Sequence, residues 1–299
     1  MRTISWPGHK GRSVETLAQW LPDGSIGAMC EPFWGTGALT LATQHRVEGP
    51  VYIGEANAPL LNWWTHMFDA PENMMASMSQ FREDYAPAKY NRAVFNTLRD
   101  GWNERNRREP YALDTAALLW CLIYASTNNL ARFNQKGGYN QTWGNGRTIP
   151  SPIEVIKPST LKSIASVAGR VNIHTDFADA MSSFFGWLDS GGTGVCFLDP
   201  PYILEAGMYD AHAWGTQKLR QMMDCIEGLE ERNAWWIYTD YMRKGDDLHP
   251  YADALAAHYQ QVPIVSTRDA RPTGVARTKE EVITVGTVVE TNAPKLTLF

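Results

Sequence analysis

The first 60 residues alternate between short apolar runs and polar, glycine-containing turns. A helix is predicted to begin at Ser13, and the apolar runs Ser25–Cys30 and Pro50–Ile53 are predicted to be strands. A second helix, from Ala38 to about Arg46, lies between these two runs. This order of strand, glycine turn, helix and strand is typical of the beginning of an α/β nucleotide-binding sheet.

From residue 62 to residue 158 the pattern becomes helical. Val94, Leu98 and Trp102 follow Tyr90 at helical spacing, and the run from Thr115 to Ala125 is almost entirely apolar. A polar, basic and glycine-rich stretch at residues 128–140 follows, with aromatic residues set between the polar ones. We interpret this region as an inserted recognition segment.

After Val171 the alternation of strands and helices returns, with helices predicted at Thr216–Glu230 and Tyr251–His258. The strands predicted here are Val171–Ile173, Gly194–Leu198, Ala234–Tyr238, Pro263–Ser266 and Glu281–Val289. Only an arginine-rich loop separates the last two strands, which predicts an antiparallel hairpin at the edge of the sheet.

The simplest architecture is one α/β sheet interrupted by a helical insertion. We expect residues 1–61 and 159–299 to form the sheet domain, and residues 62–158 to form the inserted domain. The sheet class is Rossmann-like, because acidic or glycine-rich segments follow several of its predicted strands.

Composition is that of a soluble globular protein, with 44% hydrophobic and 20% charged residues in a chain of 299. Apolar runs such as Ala116–Ala125 reach about ten residues, too few to cross a bilayer, and the first residues lack a signal-peptide core. Scattered cysteines without a C-x-x-C pair favour free thiols in a reducing cytoplasm. The net charge of −5 argues weakly against a nucleic-acid partner unless basic residues cluster locally.

The strongest chemical signal is Asp199-Pro200-Pro201-Tyr202, which follows an apolar predicted strand. Open α/β sheets bind ligands at the carboxyl ends of their strands. The two prolines remove two N–H donors and leave carbonyl and carboxylate acceptors. Such acceptors beside a tyrosine ring suit a planar ring that carries an amine. A rigid turn with a surface aspartate is the alternative.

Further signals lie at other predicted strand ends. The turn at residues 31–37 contains Gly35 and Gly37, which permit close approach of a ligand to the backbone. Glu55 ends the next strand at a distance that suits a carboxylate for ribose hydroxyls, and Asp176 and Phe177 follow the third predicted strand. Each acid alone is more simply a solvated loop carboxylate, but three at successive strand ends favour an adenosine pocket.

Taken in order, these segments resemble motifs of the Dam-type DNA adenine-N6 methyltransferases of bacteria and their phages. Residues 5–10 are similar to the family's W-A-G-G-K motif, and residues 31–37 to its E-P-F-x-G-x-G loop. Residues 54–57 resemble A-D-I-N, Asp176-Phe177 the family's D-F, and residues 199–202 its D-P-P-Y. Residues 132–140 resemble the R-[FY]-N-x-[KR]-G-x-F-N motif of its DNA-recognition domain.

The resemblance implies S-adenosylmethionine as the methyl donor and no metal. The residues that it implies for the cofactor are Trp6, Lys10, Phe33, Gly35, Gly37, Glu55, Asp176, Phe177, Asp199 and Tyr209. Within this set, Glu55 would hold the ribose, and Asp176 with Phe177 would hold the adenine.

The resemblance also implies catalysis by Asp199, Pro200 and Tyr202. The Asp199 carboxylate and the Pro200 carbonyl would accept hydrogen bonds from the amine of adenine, which is otherwise a poor nucleophile. Because the amine is unreachable inside a duplex, the adenine must flip out. Tyr202 would then stack on the flipped base.

Double-stranded DNA is the implied partner. The recognition motif and two local groups of basic residues predict the DNA-binding residues Asn128, Leu130, Arg132, Asn134, Lys136, Arg147, Arg268 and Arg271. Other arginines, such as Arg105 and Arg108, alternate with acids on a predicted helix, which favours a solvated face with i,i+4 ion pairs. We expect a monomer or weak dimer in a bacterial or phage-infected cell.

The chain also departs from the family pattern. His9 replaces a glycine, and Glu55 replaces an aspartate. In the recognition loop, Thr142 and Asn145 stand where the family often has proline and arginine. Since asparagine cannot make the bidentate contact of arginine with guanine, a GATC target is less favoured here, although Arg147 is near.

Two other functions remain open at this point. D-P-P-Y-like motifs also occur in methyltransferases that modify amines or amides of RNA or protein. A catalytically silent DNA-binding homologue would keep the fold and lose the reaction. The recognition motif at residues 132–140 argues against the first alternative, and intact Asp199, Tyr202 and Glu55 argue against the second.

Overall fold

The computed structural model describes residues 3–89, 91–205, 214–264 and 279–286. The chain divides into two compact units. The helical unit comprises Met1–Val14, Gly35–Gln44 and Glu55–Val171, and the sheet unit comprises Glu15–Trp34, His45–Gly54 and Asn172–Phe299. Tyr90, Tyr209, Arg268 and Arg271 lie outside the described residues.

Eight strands pair into one sheet within the described residues. In chain order they are β1 Met29–Glu31, β2 Val51–Gly54, β3 Val171–His174, β4 Val195–Leu198, β5 Trp235–Lys244, β6 Asp247–Leu248, β7 Gln260–Ile264 and β8 Lys279–Gly286. The order across the sheet is β3-β2-β1-β4-β5-β8-β7, with β6 paired to β5. Its first five positions follow the Rossmann order 3-2-1-4-5, so the expected fold class is confirmed.

Helices pack on the strands in the sheet unit and on each other in the helical unit. In chain order they are α1 Val14–Ala18, α2 Ala38–Thr43, α3 Ala58–Asp69, α4 Pro71–Asp84, α5 Arg92–Arg108, α6 Leu113–Ala125, α7 Pro152–Val155, α8 Pro158–Ala168, α9 Phe177–Asp189, α10 Thr216–Glu231 and α11 Ala252–His258. Short 3-10 turns lie at Gln44–Arg46, Ala86–Lys89, Thr127–Asn129 and Ile203–Glu205.

The centre of the sheet is parallel and buried. β4 pairs in parallel with β1 on one side and β5 on the other, and all residues of β1 and β4 are buried. Strands covered on both faces read as continuous apolar runs, as Val195–Leu198 does. Apolar side chains of α9 and α10, among them Phe184 and Met222, pack in the core cluster with these strands.

The predicted hairpin is confirmed, with more pairing than the sequence suggested. β7 pairs antiparallel with β8, and β8 pairs antiparallel with β5. β5 therefore runs to Lys244, six residues past the predicted end at Tyr238, because β8 and β6 supply partners for its second half. β7 begins earlier than predicted, and its Pro263 is tolerated because β7 is an edge strand.

β1 is shorter than the predicted strand Ser25–Cys30 and begins only at Met29. Ile26 instead makes an isolated parallel bridge to Val47. The break comes at Gly27, where the carbonyl oxygen of Thr193 would lie 2.5 Å from an added Cβ atom. Glycine therefore permits a backbone approach too close for a side chain.

The helical unit is built around α6. Eleven of its thirteen residues, from Thr115 to Ala125, are buried, and α3, α4 and α5 all pack against it. A helix that is apolar on every side needs such a complete cover. Trp63 and Trp64 of α3 are fully buried. Among the described residues, no helix is long and apolar enough to cross a membrane.

Gly286 is packed where no side chain fits. It pairs with Trp236, and an added Cβ atom would lie 1.9 Å from Cε2 of that fully buried ring. We expect Gly286→Ala to lower the free energy of unfolding by about 1–3 kcal/mol, as overpacking does, measured by urea denaturation. Gly101→Ala is the control, because Gly101 lies in α5 and an added Cβ atom there meets no described atom within 4 Å. We expect this change to raise the free energy of unfolding by up to about 1 kcal/mol through helix propensity. Equal effects of the two changes would contradict this account.

Candidate active site

The Asp-Pro-Pro-Tyr turn leaves the carboxyl end of β4. The order of strands reverses between β1 and β4, and this switch point is where open α/β sheets form their ligand crevice. Asp199 is partly exposed, whereas Pro200 and Tyr202 are buried. The turn therefore presents one accessible carboxylate on a backbone that two prolines hold rigid.

Side chains of β5 and β8 hold Asp199 and Tyr202 of this turn. The Thr239 hydroxyl on β5 donates a hydrogen bond of 2.7 Å to Asp199 Oδ1. The Tyr202 hydroxyl donates one of 2.6 Å to Glu281 Oε1 on β8. The Tyr202 ring also meets Tyr241 edge-on, with centroids 4.7 Å apart and an interplanar angle of 78°.

The environment of Tyr202 keeps its hydroxyl protonated. Burial raises the pKa of Tyr202 well above its usual value, and the negative charges of Asp199 and Glu281 raise it further. A protonated phenol can donate to Glu281, as the structure shows. The Tyr202 ring is consequently held at its hydroxyl and at its edge.

An aromatic cluster joins Phe33, which follows β1, to Phe177, the first residue of α9. Phe33 and Phe177 stack with centroids 5.2 Å apart, and Trp214 meets both rings at steep angles. Asp176 caps α9 by accepting from the Ala178 backbone N–H at 2.8 Å. Phe33, Phe177 and Trp214 thus pack together in the core of the sheet unit, and Asp176 lies next to Phe177 in the chain.

Lys218 on α10 lies beside this cluster, with its Nζ 3.7 Å from Asp176 Oδ2. Both side chains are 41% exposed, so this ion pair contributes little to stability. Asp176 therefore uses Oδ1 to cap α9 and Oδ2 to pair with Lys218.

The glycine turn contributes Gly35 and Gly37 to the helical unit. Gly35 and Gly37 adopt φ of 50° and 60°, a region that favours glycine. A Cβ atom added at Gly35 would meet no atom of the described residues within 4 Å. The backbone at Gly35 consequently borders open space, which fits the approach of a ligand such as the expected cofactor.

Glu55 is held against this turn. Its Oε2 accepts from the Gly35 N–H at 3.1 Å, and its Oε1 accepts from the Asn57 N–H at 2.8 Å. The Trp64 indole N–H donates to the Gly35 carbonyl at 2.8 Å. Burial raises the pKa of Glu55 to about 7, although these two backbone N–H groups act to lower it. The carboxylate is an acceptor of the type that ribose hydroxyls require.

The N-terminal segment contacts the same turn. His9 Nδ1 lies 2.7 Å from the Thr36 hydroxyl, and Lys10 is buried with its Nζ donating to the Gly8 carbonyl at 3.3 Å. The residue that departs from the family pattern, His9, therefore ties the N-terminal segment to the glycine turn.

Trp6 contacts the recognition segment, with its ring 6.1 Å from Phe133. Phe133 also packs on Trp102 and Tyr139. This aromatic packing links the two sequence motifs within the helical unit, although more than a hundred residues separate them.

The recognition segment exposes most of the residues predicted for DNA. Arg132, Asn134 and Lys136 are exposed, and Leu130 is half-buried. Asn134 Oδ1 accepts from the backbone N–H groups of Lys136 and Gly138 at 2.9 and 3.0 Å. Asn134 therefore shapes the loop that displays its neighbours.

Arg147 joins two strained asparagines. Its guanidinium donates to Asn129 Oδ1 at 3.3 Å and to Asn128 Oδ1 at 3.4 Å. Asn128 and Asn129 have φ of 60° and 50°, an uncommon conformation for residues other than glycine. The predicted DNA residues Asn128 and Arg147 are thereby brought together.

The arginines of α5 behave as expected for a solvated helix. Arg105 pairs with Glu109 and Asp114 at 3.4 Å, and Arg108 pairs with Glu104 at 3.6 Å. Sequence reasoning did not find Thr239, Tyr241, Glu281 and Trp214. These four residues carry no motif, and the only signal for Thr239 was a polar residue directly after a predicted buried strand.

The strand order, with an acidic proline turn at the switch point, defines an α/β protein of the Rossmann-like methyltransferase class. A family profile described as D12 class N6 adenine-specific DNA methyltransferase matches residues 6–249. The chain belongs to this family, which confirms the resemblance seen in the motifs.

Named relatives show the same similarity. The chain is similar to the DNA N-6-adenine-methyltransferase of Escherichia phage P1, with 25% identity over 79% of this chain and 29% of the relative. The DNA adenine methylase of Vibrio cholerae serotype O1 is 23% identical over 67% of this chain and 64% of its own length. The Type II methyltransferase M.FokI of Planomicrobium okeanokoites is 22% identical over 57% of this chain and 25% of its own length. The chain thus spans less than two thirds of each relative.

The raised pKa of Glu55 predicts how stability depends on pH. Burial in the folded protein raises the pKa of this carboxyl from its ordinary value of 4.5 to about 7. The folded state therefore favours the protonated form, and the associated stability is lost as the pH rises from about 4.5 through 7. In Glu55→Gln this loss is absent, so the variant gains stability relative to the wild type with rising pH.

Urea denaturation at pH 5, 6, 7 and 8 measures this effect. Glu72→Gln, an exposed change on α4, is the matched control and should follow the wild-type profile. Parallel profiles for Glu55→Gln and the wild type would show that Glu55 ionises alike in both states.

Proposed function

We propose that the chain transfers a methyl group from S-adenosylmethionine to the exocyclic N6 of adenine in double-stranded DNA. The observation that carries this proposal is Asp199-Pro200-Pro201-Tyr202 at the carboxyl end of β4, beside the switch point of the sheet. Membership of the adenine-specific family supports the same reaction.

The cofactor assignment rests on the motifs and on local chemistry. We assign the donor to Trp6, Lys10, Phe33, Gly35, Gly37, Glu55, Asp176, Phe177, Asp199 and Tyr209. The open space at Gly35 and the acceptor carboxylate of Glu55 support this assignment. When bound, the donor supplies an electrophilic methyl group on a sulfonium.

The roles of the catalytic residues follow from their donors and acceptors. Asp199 and the Pro200 carbonyl accept hydrogen bonds from the adenine amine, which favours a pyramidal nitrogen with an available lone pair. Transfer would form the bond from N6 to the methyl carbon as the sulfonium–methyl bond breaks, with a neutral thioether as the leaving group and the surplus amine proton lost to water. This step depends mostly on positioning and electrostatics. No covalent cysteine is needed for these steps.

Tyr202 stabilises the adenine outside the duplex. Flipping a base costs on the order of a few kcal/mol. Stacking on an aromatic ring contributes about 1–3 kcal/mol, which offsets part of that cost. The fixed ring plane of Tyr202 supports this role.

DNA binding is assigned to the recognition segment and the late arginine-rich loop. The residues are Asn128, Leu130, Arg132, Asn134, Lys136, Arg147, Arg268 and Arg271. Residues 62–158 form the recognition domain in this proposal, and residues 1–61 and 159–299 form the catalytic domain. A GATC-like site is a candidate target.

The proposed setting is the cytoplasm of a bacterium or of a phage-infected cell, where DNA is the substrate. We propose that the protein acts as a monomer or weak dimer and without a metal. Methylation there would serve restriction-modification or protection of phage DNA.

Methyl transfer is tested directly by incubating the protein with S-adenosylmethionine and unmethylated DNA. Nucleosides from the digested DNA are analysed by mass spectrometry, and we expect N6-methyladenine. Asp199→Ala should lower the rate at least about a hundredfold, since it removes an acceptor that acts on the reacting nitrogen. Asp247→Ala, an exposed change on β6, should leave the rate unchanged.

The other outcomes separate the rival functions. Cofactor binding without any methylated base in DNA would overturn the DNA assignment and favour RNA or protein acceptors. DNA binding without cofactor binding in calorimetry would identify a silent DNA-binding homologue.

Arg147 is expected to contribute to target choice. A bidentate contact of arginine with guanine is worth about 1–3 kcal/mol of discrimination, so Arg147→Ala should relax base preference at one position of the site. Sequencing of methylated sites in a random DNA pool measures this effect. Arg92→Ala on α5 is the control for loss of an exposed positive charge, and an unchanged preference in Arg147→Ala would remove Arg147 from base reading.

A further inference from the structure

The side chains of β5 alternate between the turn that carries Asp199 and the core. Thr239 contacts Asp199, and Tyr241 contacts Tyr202. Tyr238 and Asp240 bond to each other on the opposite face, as the two-residue period of a strand requires. One strand therefore links the functional turn to a buried polar network.

We propose that Thr239 and Glu281 are positioning residues, which hold Asp199 and Tyr202 in the geometry that methyl transfer needs. This inference rests on the proposed function, in which Asp199 receives the adenine amine and Tyr202 stacks on the base. Neither Thr239 nor Glu281 belongs to any of the sequence motifs.

Thr239 sets the orientation of the Asp199 carboxylate. Its side chain is completely buried, and its hydroxyl donates to Asp199 Oδ1 at 2.7 Å. A hydrogen bond to a charged group is stronger than one between neutral groups. The bond therefore fixes the rotation of the carboxylate plane, on which the direction of the amine lone pair depends.

Glu281 sets the plane of Tyr202. Its Oε1 accepts the Tyr202 hydroxyl at 2.6 Å, and its backbone lies opposite Tyr241 in the β5–β8 register. Tyr241 in turn touches the edge of the Tyr202 ring. Two adjacent positions of the antiparallel pair thus hold the ring at two points, which leaves it little freedom to tilt.

The buried network on the other face of β5 makes this support rigid. The Tyr238 hydroxyl donates to Asp240 Oδ2 at 2.9 Å and lies 3.1 Å from His249 Nε2. His249 Nδ1 accepts from the Tyr251 N–H at 3.2 Å, which places the imidazole proton on Nε2. Side chains that are locked by such partners hold a site more accurately than loop residues do.

The first test compares Thr239→Val with Thr239→Ser. Valine keeps the shape and loses the hydroxyl, whereas serine keeps the hydroxyl. We expect Thr239→Val to lower kcat about ten- to a hundredfold, the loss typical of a hydrogen bond to a charged group. KM for DNA and Kd for S-adenosylmethionine should stay within about twofold, and Thr239→Ser should recover kcat to within a few-fold of the wild type.

The second test is a double-mutant cycle of Tyr202→Phe and Glu281→Ala. If Glu281 acts through the Tyr202 hydroxyl, the double variant loses no more kcat than Tyr202→Phe alone. Additive losses would overturn the role of Glu281. If Thr239→Val fails to fold, Thr239→Ala takes its place in the first test, and this cycle decides the role of Glu281.

The outcomes distinguish this inference from the proposed function. Wild-type protein that forms N6-methyladenine, together with a Thr239→Val variant of equal kcat, overturns the positioning role alone. Equal losses of kcat and cofactor affinity in Thr239→Val and Thr239→Ser also overturn it, since they indicate a structural role. Wild-type protein that forms no N6-methyladenine overturns both proposals.

Discussion

The parallel pairing of β4 between β1 and β5 is the constraint on which the rest of the site depends. Because β4 is buried on both faces and paired along both edges, the chain after Leu198 must leave the sheet at its carboxyl end. Two prolines then prevent further strand pairing and hold the turn. Asp199 is thereby presented at the switch point, while its neighbours Pro200 and Tyr202 stay buried.

The antiparallel pair β5–β8 supplies the side chains that hold the turn after β4. The parallel strands of this sheet end at β5. Here β8 pairs with β5 and delivers Glu281 to Tyr202, while β5 delivers Thr239 to Asp199. Support for the Asp199–Tyr202 turn therefore comes from strands rather than from loops, which suits the proposed reaction because methyl transfer depends on positioning.

Local pattern was a good guide to the elements of this fold. Apolar runs marked β2 and β4 to within a residue, and helical spacing marked α10 and α11. It was weaker where pairing decided the length of an element, as at β5, whose second half exists because β8 and β6 lie beside it. The order of the motifs predicted the family. A motif identifies residues such as Asp199 and Tyr202, but it does not identify the side chains that contact them, such as Thr239 and Glu281.

The sequence by itself determined the periodicity of the elements, the Asp199–Tyr202 turn, the glycine turn at Gly35 and the family. Each of these is encoded in residues that are adjacent or a few positions apart. Only the tertiary structure decided that Thr239 meets Asp199 across 40 positions and that Glu281 meets Tyr202 across 79. The physical reason is register, because a shift of one residue between β4 and β5 would turn Thr239 away from Asp199, and a shift of one residue between β5 and β8 would turn Glu281 away from Tyr202.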